Sequence, residues 1–67
     1  MGYRIKWIIK PVRDPWFAGV DEHSWTPREN DAKVCTLEEV RQVCIHFGEF
    51  VTVYDGDVEI LGVFFCE

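Results

Sequence analysis

The order of apolar and polar positions along this chain changes period several times, and each change marks an element. Tyr3 to Lys10 alternates: Tyr3, Ile5, Trp7 and Ile9 fall on one side of an extended chain, and Arg4, Lys6, Ile8 and Lys10 on the other. This predicts a first strand that ends near Pro11, because Pro11 and Pro15 cannot donate to a sheet ladder. Trp16 to Val20 reads as a second short strand weakened by Gly19, and Asp21 to Asn30 as a polar loop. Lys33 to Cys35 is an optional short edge strand.

At Thr36 the period becomes helical. Thr36-Leu37-Glu38-Glu39 has the spacing of a capping box, in which the threonine hydroxyl accepts the amide of Glu39 and the Glu39 carboxylate reaches back. Glu38 and Glu39 also suit the positive end of the helix dipole. At about 100° per residue, Leu37, Val40, Val43, Cys44 and Phe47 share one stripe. Gly48 is placed to end the helix as its C′ residue. Ile45 lies outside the stripe, beside Arg41 and Glu38.

Residues 50–65 return to strand periodicity. Asp55-Gly56 between alternating runs predicts a type I′ hairpin, with Val53 opposite Val58 and Val51 opposite Ile60. Val58 and Ile60 would then face the helix. From Ile60 to Cys66 only Gly62 is not large or apolar, so both faces of the strand end read as hydrophobic. Leu61, Val63 and Phe65 form one face; Gly62 and Phe64 form the other. A bulge at Gly62 would rotate the strand and turn Phe65 inward. The expected fold is α+β: a small, mainly antiparallel sheet of four to five strands with one helix packed on one face, in one domain spanning residues 1–67.

Composition narrows the class of function. The chain is 48% hydrophobic, enough for a small core, yet no apolar run approaches the roughly 20 residues of a membrane span. The N-terminus lacks the pattern of a signal peptide. Three cysteines, Cys35, Cys44 and Cys66, show no C-x-x-C spacing and read as reduced, packed thiols. A soluble cytosolic protein is expected. Cys44 and His46 are two apart on the helix and cannot chelate together, and His23 has no ligand-spaced partner. No phosphate-binding glycine motif and no linked nucleophile and base are present, so neither an enzyme nor a cofactor is expected.

The net charge of −5 is unevenly spread. Arg4, Lys6, Lys10 and Arg13 against Asp14 make the first fifteen residues basic, and the rest is strongly acidic. Arg4, Lys6 and Lys10 near Trp7, Trp16 and Trp25 raise the idea of a stacking platform for nucleic acid. Trp7 lies on the opposite strand face from these bases, and the overall charge opposes phosphate. Acids at the hairpin, Asp55, Asp57 and Glu59, could instead meet a basic patch on a protein partner, as could Asp21, Glu22, Glu29 and Asp31 around the central loop. Protein binding draws the best residue support, through Leu61, Val63, Phe65, Asp55, Asp57, Glu59 and Ile45. A self-associating subunit or homodimer, and a small nucleic-acid-binding protein using the first strand, are the alternatives.

Trp16-Phe17-Ala18-Gly19-Val20-Asp21-Glu22, Trp25-Thr26 and the run from Asp31 to Glu39 resemble the layout of short phage and mobile-element proteins. In size and style the chain is similar to small acidic inhibitors of bacterial defence, including anti-CRISPR proteins. The resemblance implies a non-enzymatic protein that blocks a larger nucleic-acid-handling complex in a host cytosol. It transfers no functional residue.

Overall fold

The computed structural model describes residues 2–19 and 24–66. Five strands form one antiparallel sheet in the order β3-β2-β1-β4-β5, where β1 is Tyr3–Trp7, β2 Trp16–Phe17, β3 Trp25–Thr26, β4 Val51–Asp55 and β5 Val58–Leu61. One helix, α1 (Leu37–Phe47), packs on one face, which makes the fold α+β as the periodicity predicts.

The core forms where the two periods meet. Ile5, Val51 and Val53 from the sheet are fully buried with Val40 and Cys44 from the helix, and Phe17 and Cys35 complete the cluster. Each large apolar side chain so covered stabilises by about 1.5–3 kcal/mol relative to exposure. Both halves of the capping box are present: Thr36 Oγ1 accepts from the Glu39 amide at 3.3 Å, and the Thr36 amide donates to Glu39 Oε1 at 3.0 Å. Of the predicted stripe, Val40 and Cys44 are buried and Val43 and Phe47 are half-buried, whereas Leu37 in the first turn is largely exposed. Trp7, Trp25 and Phe47 form an aromatic group on the helix side of the sheet, with Trp7 and Trp25 rings 4.7 Å apart.

Several expectations are corrected, each for a tertiary reason. β1 stops at Trp7 rather than Lys10, because a strand runs only as far as its partners: Trp7 N–H donates to the Pro15 carbonyl and Ile8 N–H to that of Phe50. The loop read over residues 21–30 contains β3, whose two residues are too few to show an alternation. Val20, Asp21, Glu22 and His23 lie outside the described residues. Lys33 to Cys35 contributes a single bridge, Tyr3 to Cys35. Gly48 does not end the helix in a left-handed conformation; its φ of −51° continues the chain into a 3-10 turn, Gly48–Phe50.

The hairpin is offset from its expected register. Asp55 pairs with Val58, Tyr54 with Glu59 and Val53 with Ile60, so the two loop residues are Gly56 and Asp57. Gly56 has φ +63° and, among the described residues, no non-glycine residue has positive φ, which meets the type II′ requirement. The expected type I′ turn would have forced Asp55 into a left-handed conformation, which costs roughly 1–2 kcal/mol outside glycine. The offset is two residues, so every side chain keeps its face. Val58, however, is carried beyond the helix and is 60% exposed, and it does not belong to the core.

Candidate functional site

The end of β5 is where the structure departs most from a plain sheet. The apolar run does not continue as a strand beyond Leu61. Gly62–Phe65 is a 3-10 turn that folds back against the end of α1 and the turn Gly48–Phe50. Gly62 permits this: a Cβ there would sit 2.7 Å from Val51 Cγ2, 2.8 Å from the Val51 carbonyl oxygen and 3.0 Å from that of Gly48. Two backbone oxygens cannot retreat as a flexible side chain would, so only glycine fits this approach.

The turn is held on both sides. Before it, Ile60 is locked in the ladder opposite Val53, and its carbonyl also accepts the Thr52 hydroxyl at 3.0 Å. After it, Phe65 packs on the core with its ring edge-on to Tyr3 at 6.2 Å, and the Cys66 thiol donates to the Cys44 carbonyl. Between these supports Leu61 and Val63 are about half exposed and Phe64 is 75% exposed. Leu61, Val63 and Phe65 therefore do not share one face. The rotation considered for a bulge at Gly62 is delivered by a 3-10 turn, which sends Phe65 inward and Phe64 outward. Sequence reasoning misses Phe64; the signal available is Gly62, the one residue from Ile60 to Cys66 that is not large or apolar.

The direction of the backbone bonds defines β5 further. Ile8 N–H donates to the Phe50 carbonyl at 2.8 Å. Bonding alternates along an antiparallel strand, so even positions of β4 bond towards β1 and odd positions towards β5. Val58 and Ile60 answer those odd positions. The amide and carbonyl of Glu59 and the amide of Leu61 point out of the sheet, the Leu61 carbonyl being taken by the first bond of the turn that follows, and β5 is its last strand.

The predicted acids are divided. Asp57 and Glu59 are exposed beside this edge, and Asp55 is half-buried at the start of the turn. Glu59 Oε2 accepts the Tyr54 hydroxyl at 2.9 Å; desolvation first, and then this carboxylate, raise the Tyr54 pKa. Ile45 is exposed in a separate shallow groove on the outer side of α1, lined by Leu37, Glu38, Arg41 and Gln42, with no residue of β5.

Compared with protein-family models, with curated proteins and with solved structures, the chain finds no match.

The sheet face away from the helix bears on nucleic acid. Arg4 and Lys6 lie over the Trp16 ring at 5.9 and 5.3 Å, and Tyr54 covers it from another side at 5.4 Å. Trp16 is only 7% exposed, so it has no ring face to offer a base. Arg4 is paired with Glu29 at 3.2 Å, and Glu59 shares the face. Trp7 and Trp25 are on the helix side. Arg4, Lys6 and Trp16 thus form a closed stack with Tyr54 rather than an open platform.

Two of the three thiols are packed inside. Burial pushes Cys35 up to about 11 and Cys44 up to about 12, the direction opposite to nucleophile activation. Among the described residues no group of three or more His, Cys, Asp or Glu side chains is placed to hold a metal ion, and no buried side-chain nitrogen or oxygen lacks a hydrogen-bond partner. No helix among them is long and apolar enough to cross a membrane.

Proposed function

We propose that this chain is a non-enzymatic protein-binding module whose contact surface is the turn carrying Leu61, Val63 and Phe64, with Asp57 and Glu59 at its rim. One observation carries the proposal: Phe64 is an aromatic side chain 75% exposed on a turn fastened at both ends. A phenyl ring so exposed contributes little to the isolated fold. Held on a rigid backbone, it meets a partner with little conformational entropy left to lose. Aromatic anchors of this kind dominate interface energies, and the apolar group around it is of the sort that marks contact surfaces.

The acids at the rim favour a partner with a basic surface around an apolar recess. Together with the likeness in size and charge to small inhibitors of bacterial defence, this supports a large nucleic-acid-handling complex in a host cytosol as the partner class. Binding without catalysis would suffice to block such a complex.

The test is a pull-down of wild type and Phe64→Ser side by side from lysates of candidate hosts. A stoichiometric partner held by wild type and lost by an equally stable Phe64→Ser supports the proposal. A partner retained by both, or no partner for wild type, refutes it. Retention of wild type on single-stranded oligonucleotides at low salt would favour nucleic acid instead.

A further inference from the structure

We infer that the partner contributes an extended, basic segment that adds as a sixth strand along the outer edge of β5. The inference rests on the protein-binding function proposed above and names the mode of recognition. The edge is of the kind that folded proteins usually blunt with proline, lysine or a bulge. β5 reads Val-Glu-Ile-Leu, has no proline or lysine, and pairs with β4 in an unbroken register from Asp55–Val58 to Thr52–Leu61. The outward amide and carbonyl of Glu59 and the outward amide of Leu61 are therefore a straight template for main-chain bonds, as in strand-addition complexes.

Charge selects the occupant. No lysine or arginine follows Arg41 in the chain, whereas Glu49, Asp55, Asp57, Glu59 and Glu67 do. Asp57 and Glu59 belong to the edge itself. Side chains of an added strand on the open face would lie beside Glu59 and Leu61, and those on the helix face beside Val58 and Ile60. That pattern suits a segment alternating basic with apolar residues.

A second copy of this chain fits worse. Antiparallel pairing centred on Glu59 sets two carboxylates directly opposite each other, which is destabilising. Pairing centred on Ile60 engages only Glu59 to Leu61, because the chain leaves the sheet at Gly62.

The experiment uses a blocked peptide of alternating lysine and valine, about eight residues long, titrated into the whole protein. Amide hydrogen exchange is read by NMR. In free protein Val58 and Ile60 should be protected, and Glu59 and Leu61 should exchange rapidly. The peptide should slow exchange at Glu59 and Leu61 by about tenfold or more. A glutamate-valine counterpart should not, nor should a lysine-valine peptide N-methylated at alternate amides. Glu59→Pro should abolish the effect while keeping the fold, since the Glu59 amide has no partner in the sheet; circular dichroism checks the fold, and the N-methylated peptide decides if it is lost.

Protection elsewhere, no protection at millimolar peptide, or an equal response to the acidic peptide overturns the inference. So does protection of Glu59 and Leu61 that grows with protein concentration alone, with dimer in sedimentation, since the occupant is then a second copy. Phe64→Ser should still respond to the peptide. A natural partner lost by Phe64→Ser and indifferent to Glu59→Pro would remove strand addition and leave the contact surface standing.

Discussion

Phe64 and Phe65 are neighbours with opposite surroundings, so replacing each by serine separates presentation from packing. Phe65 is half-buried against the core and edge-on to Tyr3. Removing a fully buried phenyl ring costs about 3–5 kcal/mol, so a half-buried one should cost about 2–3 kcal/mol. For a domain this small that lowers the melting temperature by roughly 10–20 °C. It is also a large share of the whole, because total stability at this size is on the order of 3–10 kcal/mol. Phe64 is 75% exposed. Only a quarter of its surface is covered, worth about 0.5 kcal/mol. Phe64→Ser should therefore melt within a few degrees of wild type, and Phe65→Ser far below it. Thermal melts followed by circular dichroism, with urea titrations beside them, measure both. Equal losses, or a larger loss at Phe64, would mean that the turn does not point these rings in opposite directions. The contact surface proposed here would go with it.

Other consequences are quicker to check. Thr36→Ala should lose about 1 kcal/mol of stability through the cap, measured by urea denaturation. The Lys33 ammonium, and then the Thr36 amide, hold the Glu39 carboxyl below its ordinary value of 4.5, so its contribution is present above that pH and is lost as pH falls through the lowered value. Lys33 is raised by the same pairing, so its share is present below 10.5 and is lost only as pH rises beyond. Glu39→Gln should accordingly lower stability at neutral pH, where the ionised pair contributes, and converge with wild type at acid pH, so that the acid side of its stability-against-pH curve is flatter. Val53→Ala should cost about 2 kcal/mol and Val58→Ala no more than about 0.5 kcal/mol, because only the first is buried. At pH 8 a thiol reagent should modify Cys66 in the native protein well before Cys35 or Cys44, which burial keeps protonated; mass mapping after a short exposure would show the order.

Local signals were legible in the chain, and long-range ones were not. The capping box at Thr36 to Glu39 involves atoms three residues apart, so its chemistry alone selects the helix start. The faces of β1 and β4 followed from alternation, which a register offset of two leaves untouched. The positions that escaped are those decided elsewhere in the molecule. Trp25-Thr26 become a strand only because Trp16-Phe17 lie beside them. The hairpin register turned on which loop position could take a positive φ. Of the candidate surface, Leu61, Val63, Asp57 and Glu59 were named from the sequence. Alternation carried past Gly62 points Phe65 outward, but there Val51 and Gly48 press against the backbone and the strand ends. Ile45, exposed as expected, belongs to a different groove.

The strand order also bears on how the chain acquires its fold. β1 occupies the middle of the sheet, yet its longer ladder is made with β4, where Tyr3 meets Asp55 and Trp7 meets Val51. Most of the chain's length separates those partners, so the central ladder cannot begin until the helix has been made and Asp55 has followed it. Non-local pairing of this kind slows folding. During synthesis Ile5 and Trp7 must wait without a cover while the later strands are still being added. A chain interrupted just after α1 would have every residue of the helix's apolar stripe and only the small β1–β2–β3 ribbon to lay it on. Such a fragment should be a target for proteases and chaperones rather than a smaller version of the protein.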